Sequence, residues 1–232
     1  MSDRSPTPKR KKPAVRKAAP AATSGKAAAR RTTEAPKPKR EIPVVGIVFG
    51  LIAIALVAAV LLTGSSSSEA GEPTYEGEWL PFFENTQGDP AIGLDAPQIT
   101  GADYDGNEVR VEPNGTPTVL VFLAHWCQFC QAEVPKVQSW LDSGGGVAGV
   151  QIISVATAIN SARENYPPSE WLEREGWTSP VIRDDTDSTL HQSFGAGGFP
   201  YWVFLNGDGT VAVRNSGQLD ITTLQEIMLT LE

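Results

Sequence analysis

The 232-residue sequence predicts an α/β domain over residues 92–232: a mixed central sheet flanked by helices, with an N-terminal β extension. One transmembrane helix and a disordered basic tail are expected ahead of it. Three observations carry this reading. From about Ile92 onward, short apolar and β-branched runs alternate with helix-like stretches. An uncharged run of nineteen residues spans Val44 to Leu62. The charge is also split sharply along the chain, which divides it into a basic tail (1–42), a span (43–63), a linker (64–91) and the α/β domain (92–232).

Of the 19 Lys and Arg, 13 fall in residues 1–41 beside only three acids. That segment therefore carries +10 and the remainder −18, within an overall −8. The tail contains no Leu, Phe, Tyr or Trp and is rich in Ala and Pro. It cannot bury enough apolar surface to offset the entropy of ordering, so disorder is expected. The run Val44–Leu62 follows, and at about 1.5 Å per residue such a length crosses a hydrocarbon core of roughly 30 Å. Lys37, Lys39 and Arg40 precede it, whereas the next basic residue after it is Arg110. The excess of positive charge on that side places the N-terminus in the cytoplasm and residues 63–232 outside the cell membrane. Tail charge is then a topology signal and a contact for anionic lipid rather than a nucleic-acid arm. Ser68-Glu69-Ala70 resembles a cleavage site, but the stretch before the apolar run is too long for a signal peptide, so an uncleaved anchor is expected.

Residues 63–78 read as a flexible spacer of Ser, Gly, Pro and acids. Trp79-Leu80-Pro81-Phe82-Phe83 is an apolar cluster expected to pack back on the domain. Two extended pieces, Ile99–Asp103 and Glu108–Val111, flank the turn Tyr104-Asp105-Gly106-Asn107, and Pro113-Asn114-Gly115 makes a second turn. Thr118–Leu123 is continuously apolar, as a strand covered on both faces should be. A helix is expected from Cys127 to about Leu141, ended by Gly144-Gly145-Gly146, and Val150–Ala156 is another buried strand. Pro167-Pro168-Ser169 opens a helix closed at Gly176; Pro180–Arg183 is a strand and Ser188–Phe194 a short helix. Tyr201–Leu205 and Thr210–Val213 flank the hairpin signal Asn206-Gly207-Asp208-Gly209. Asp220 caps a last helix, Ile221–Leu231.

The chain's two cysteines lie together in Ala124-His125-Trp126-Cys127-Gln128-Phe129-Cys130. This spacing at a strand-to-helix turn holds one sulfur exposed at a helix N-terminus, where unsatisfied N–H groups favour thiolate. A thiolate attacks a disulfide, and its neighbour resolves the mixed intermediate. A structural zinc needs further Cys or His ligands, and the chain offers only His125 and His191, so no metal is expected. The run Asp184-Asp185-Thr186-Asp187 reads as a solvated turn, and His191 as a residue on a helix surface.

With the Trp126–Cys130 motif stand Ala96-Pro97, Pro135, Gly198-Phe199-Pro200, the strand Tyr201–Leu205 and the Asn206–Gly209 turn. In this order they make residues 92–231 resemble membrane-anchored, thioredoxin-fold proteins of the TlpA/ResA type. The resemblance implies Cys127 as nucleophile, Cys130 as resolving thiol, Trp126 flanking the sulfur, and Pro200 as a cis-proline beside a substrate groove lined by Phe199. Many thioredoxins hold a buried acid six positions before the nucleophile; here that position is Val121. Proton transfer then falls to His125, otherwise an exposed loop histidine, or to an acid such as Glu133. The expected activity is thiol–disulfide exchange with exported proteins, without a bound cofactor, recycled by a separate redox partner. The other hypothesis is a tethered binding or assembly module that uses the Phe199-Pro200 groove and the Trp79–Phe83 cluster. Trapping of mixed disulfides separates the two.

Overall fold

The computed structural model describes residues 69–232. The expected tail and span lie outside them, and no helix among the described residues is long and apolar enough to cross a membrane. Strands β1 (Thr74–Glu76), β2 (Gln98–Ala102) and β3 (Glu108–Val111) form an antiparallel sheet in chain order. The remaining strands are β4 (Thr118–Leu123), β5 (Gln151–Ala156), β6 (Val181–Arg183), β7 (Tyr201–Leu205) and β8 (Val211–Ser216). They make the central mixed sheet, ordered β6-β5-β4-β7-β8. β4 lies in the middle, parallel to β5 (Thr118↔Gln151 through Leu123↔Ala156) and antiparallel to β7 (Thr118↔Leu205).

Side chains alternate between the faces of a strand, so continuous apolar runs signal a sheet covered on both sides. Val119, Val121 and Leu123 pack with Trp202 and Phe204 under α1 (Gln128–Asp142), α2 (Pro168–Arg174) and α4 (Ile221–Met228). Leu120 and Phe122 face the other way, toward Leu190 of α3 (Thr189–Ser193), Phe194, Leu80 and Phe83. Each such large apolar side chain, once buried, contributes about 1.5–3 kcal/mol. The Asp220 cap forms as expected, its side chain accepting from the Thr223 N–H at 2.9 Å. Gly176 closes the α2 helix with φ +67°. β8 runs three residues beyond the expected Val213, because its pairing with β7 continues to Tyr201↔Ser216.

The spacer expectation needs correcting. Thr74–Glu76, although polar, forms β1 because its backbone pairs with β2 from Thr74↔Thr100 to Glu76↔Gln98. Gly71 donates its N–H to the Asp184 carbonyl at 2.8 Å and lies so close to Arg183 that a Cβ there would sit 2.4 Å from the Arg183 oxygen. The aromatic cluster does pack back: Leu80 and Phe83 are buried, while Trp79 and Phe82 stay exposed. Main-chain bonds from Leu80 N–H to Ser193 O and from Phe83 N–H to Gly195 O, both 2.8 Å, fix this strap.

A buried ion pair locks the strap from behind. Arg214 on β8 has no exposed side-chain surface; it donates Nε to Asp89 Oδ2 at 2.8 Å and Nη1 to Pro81 O at 2.9 Å and Phe194 O at 3.0 Å. Its Nη2 also pairs with Asp89 Oδ1. Burial pushes the Asp89 carboxyl upward, but hydrogen bonds from Arg214 and the Ala91 N–H outweigh it and hold the pKa below its ordinary value. The Asp89 contribution is thus present above about pH 3.9 and disappears as pH falls through the lowered pKa.

Breaking such a pair from one side strands a buried charge, at a cost of about 3–5 kcal/mol. Arg214→Met is expected to lower the urea midpoint accordingly, and adding Asp89→Leu should recover most of the loss. A single variant that unfolds at the native midpoint would remove this role from the pair.

Candidate active site

β4 ends at Leu123 in the middle of the sheet, and the next four residues turn the chain into α1. The Cys127 N–H donates to Ala124 O at 2.9 Å, closing the turn, and the Gln131 N–H donates to Cys127 O at 3.0 Å, starting the helix. Cys127 is therefore the N-cap, with an extended backbone (φ −80°, ψ 118°). Its half-buried sulfur is in the position normally taken by a capping side chain. Cys130 lies one turn along and is fully buried.

The two thiols are shifted in opposite directions. The Cys130 thiol donates to the Cys127 sulfur and favours its anion; burial opposes this, and the N–H groups of Cys130 and Phe129 reinforce it. The Cys127 pKa falls to about 6. Burial drives the Cys130 pKa far above an ordinary thiol, and the neighbouring Cys127 and Glu133 push the same way. Both cysteines are free thiols.

Around Cys127, the protonated Sγ donates to the Phe199 carbonyl at 3.7 Å. The Phe199–Pro200 peptide bond is cis, as expected from the sequence, with Phe199 half-buried and Pro200 buried. Trp126 donates Nε1–H to Ala158 O at 2.8 Å and meets Phe199 edge-on, their centroids 5.8 Å apart. Arg163 lies over the Trp126 ring at 4.7 Å. Phe129, inside the motif, is 50% exposed beside the sulfur.

His125 is not the exposed loop histidine the sequence suggested; it is 1% exposed. Its Nδ1 lies 2.8 Å from Glu164 O, and its Nε2 accepts the Asn160 N–H at 3.2 Å. The same acceptor role at Nε2 puts the proton on Nδ1, so both ring nitrogens are occupied by the backbone of the loop after β5. Burial lowers the His125 pKa. Its carbonyl accepts from Gln131 Nε2 at 3.0 Å. The geometry makes His125 a clamp between that loop and the motif.

Glu133, which the sequence offered as one acid among several, is buried at 1% exposure one turn beyond Cys130. Oε1 accepts the Leu219 N–H at 3.0 Å, and Oε2 pairs with Lys136 Nζ at 2.6 Å. Val121 is buried in the sheet beneath α1. The carboxylate near the buried sulfur thus comes from the helix rather than from β4.

Two further expectations change. Asp184 has no exposed surface: its carboxylate accepts from Thr157 Oγ1 at 2.7 Å, from the Leu190 N–H at 2.9 Å and from the His191 N–H at 3.1 Å. It therefore anchors α3, and burial raises its pKa despite these bonds. His191 is turned inward rather than lying on the helix surface, stacked on Phe199 with centroids 4.5 Å apart. Nothing in the local sequence marks either inward turn, since both depend on how α3 meets the β7 end of the sheet. Among the described residues no group of three or more His, Cys, Asp or Glu is arranged to hold a metal ion.

Comparison with known proteins adds three findings. The sequence pattern of the AhpC/TSA family matches residues 92–214. A thiol:disulfide interchange protein TxlA homolog of Synechocystis is 27% identical over 64% of this chain and 63% of its own length; the chain thus spans just under two thirds of that relative. Sporulation thiol-disulfide oxidoreductase A of Bacillus subtilis is 23% identical over 53% of this chain and 72% of its own. Among solved structures, a DsbF homologue from Corynebacterium diphtheriae superposes with a TM-score of 0.51 at 19% identity, over 65% of this chain and 99% of that one, which is a likeness of fold.

Alkylation of the reduced protein by iodoacetamide reads the two thiols separately. Cys127 is expected to react with a pH midpoint of about 6, whereas Cys130 stays unmodified until the protein unfolds. A Cys127 midpoint near the ordinary thiol value of about 8.5 would remove the helix-start stabilisation.

Proposed function

The chain belongs to the AhpC/TSA family, and we propose that it is a membrane-tethered, extracytoplasmic thiol–disulfide oxidoreductase working through the Cys127/Cys130 couple. One observation carries the reading: two free thiols one turn apart, the half-buried one at the N-cap of α1 with its pKa lowered, the other fully buried with its pKa raised. The thioredoxin-like fold and the interchange proteins among the relatives support it.

The chemistry follows from that asymmetry. Cys127 thiolate attacks one sulfur of a substrate disulfide, and the other substrate sulfur leaves as a thiolate that takes up a proton. Phe199 and Pro200 flank the attacking sulfur, so an extended substrate segment lies along them. Cys130 is too buried to ionise alone, and its proton passes to a base as it attacks; Glu133, whose charge acts on Cys130, supports that role from one turn along the helix. The Cys130 thiolate then attacks Cys127 Sγ, releasing the second substrate thiol and leaving a Cys127–Cys130 disulfide. A partner dithiol returns two electrons and two protons. The same steps in reverse oxidise a substrate.

The nineteen apolar residues before the described region, and the basic tail before them, support a single-pass anchor with the domain outside the cytoplasm. Substrates are then exported proteins, and a membrane or extracytoplasmic partner recycles the pair.

Cys130→Ser leaves the nucleophile without its resolving thiol. In the full-length protein it is expected to accumulate mixed disulfides with exported proteins, in a membrane fraction that resists carbonate extraction; Cys127→Ser should accumulate none. Equal trapping by both variants, or release of the chain by carbonate, would contradict the respective part of the proposal. The pKa of about 6 lies closer to thioredoxin, at about 7, than to the strongest oxidants of the class, at about 3.5. Equilibration with glutathione is therefore expected to give a potential nearer to about −270 mV than to about −120 mV. A value at the oxidising end would assign the opposite direction of electron flow.

A further inference from the structure

The segment that brings Phe199 to the nucleophile has almost no side chains with which to hold itself. Gly195-Ala196-Gly197-Gly198 offers one methyl group in four residues. The N–H groups of Gly197, Gly198 and Phe199 make no hydrogen bond among the described residues. Such a stretch samples many backbone conformations unless something outside it fixes its end. Yet its last carbonyl, Phe199 O, is aligned on Cys127 Sγ at 3.7 Å.

The strap holds the start of the segment, Gly195 against Pro81 and Gly197 against Phe82, and His191 supplies the fixed point at the Phe199 end. Its ring lies nearly parallel to Phe199, 4.5 Å between centroids and 27° between planes. Its Nε2 is 3.4 Å from Gly198 O, the carbonyl just before Phe199. The Phe199 ring also meets Trp126 nearly at right angles, with centroids 5.8 Å apart. The imidazole is in turn held edge-on by Phe122 at 6.0 Å and by Tyr201 at 6.4 Å, while the His191 backbone N–H is bound to Asp184. A rigid line therefore runs from β6 and α3 through the imidazole to Phe199 and ends at the reacting sulfur.

We propose that His191 is a positioning residue for polypeptide substrates: it sets the Gly197–Phe199 edge against which an extended chain pairs beside Cys127. The proposal rests on the thiol–disulfide reading above. The groups that shift the Cys127 thiol belong to Cys130 and Phe129, at the start of α1, and His191 is not among them. Phe199 O accepts only from the protonated Cys127 and is not among the groups that lower its pKa, so losing the imidazole weakens the docking of a peptide backbone and leaves the intrinsic reactivity of the thiolate in place.

The test compares two substrates on the full-length protein: a disulfide-linked dimeric peptide, which can pair along the edge, and hydroxyethyl disulfide, which has no backbone to pair. His191→Ala is expected to raise KM for the peptide about fivefold, the effect of losing one aromatic contact of this kind. The rate with hydroxyethyl disulfide and the pH midpoint of Cys127 alkylation should stay unchanged. His191→Phe, which keeps a flat ring against Phe199, should restore most of the peptide KM. His191→Gln, which keeps a donor without a ring, gives the same comparison with His191→Phe should the alanine variant not fold. An unchanged peptide KM in the ringless variant, an equal loss with both substrates, or no recovery in His191→Phe would overturn the positioning role. A wild-type protein that exchanges with neither substrate would instead sink the thiol–disulfide reading itself.

Discussion

Which of two sulfurs meets the start of α1 decides nearly everything else about the site. A helix leaves its first N–H groups without intrahelical partners, and Cys127 as the N-cap offers them an anion. Cys130, one turn on, faces the interior between α1 and the sheet, where burial opposes ionisation. The same side-chain chemistry is thus divided into an easily ionised thiol and a held-back one by position along α1, by depth of burial and by the contact between the two sulfurs. That turn is fixed because β4 is the central strand, buried throughout and paired on both edges.

The surroundings serve this arrangement from two sides. The loop after β5 is tied to the motif through His125 and Trp126, each bonded to loop backbone atoms. On the other face, Arg214 holds the strap through Asp89 and Pro81 while also binding Phe194 O, at the end of α3. Phe194 leads into the glycine-rich segment and then Phe199. A buried charge placed in the sheet thereby fixes both the strap and the residues that approach Cys127 from the cis-proline side.

The fold was largely legible because its signals are local. Continuous apolar strands such as Thr118–Leu123, the Asp220 cap, Gly176 and the Asn206–Gly209 turn each declare themselves within a few residues. The thiol pair was legible for the same reason, and Pro200 through its motif. What sequence could not give was burial of polar groups. Glu133, His125, Asp184 and Arg214 are all charged or titratable residues with almost no exposed surface. Each is buried because a partner distant in the chain satisfies it: Leu219 N–H, Glu164 O and Asn160 N–H, Thr157 Oγ1, and Asp89. β1 escaped notice for a related reason. Its pairing is made by backbone atoms, to which the polar side chains of Thr74–Glu76 give no clue.

Charge on the body of the protein makes the helix-start argument stricter. Residues 42–232 carry −18, and a negative surround disfavours a further anion. Ionic screening limits that effect, since exposed acids beyond about 8–10 Å are largely shielded at physiological ionic strength. Within that distance, what lowers the Cys127 pKa is a thiol and two backbone N–H groups, with no cation among them. These donors act on the reduced form, because the stabilised thiolate disappears once Cys127 is joined to Cys130. The hydrogen bonds that make the sulfur reactive therefore also bias the couple toward its reduced state. The depth of that bias, set by these few donors rather than by the motif itself, tunes the couple.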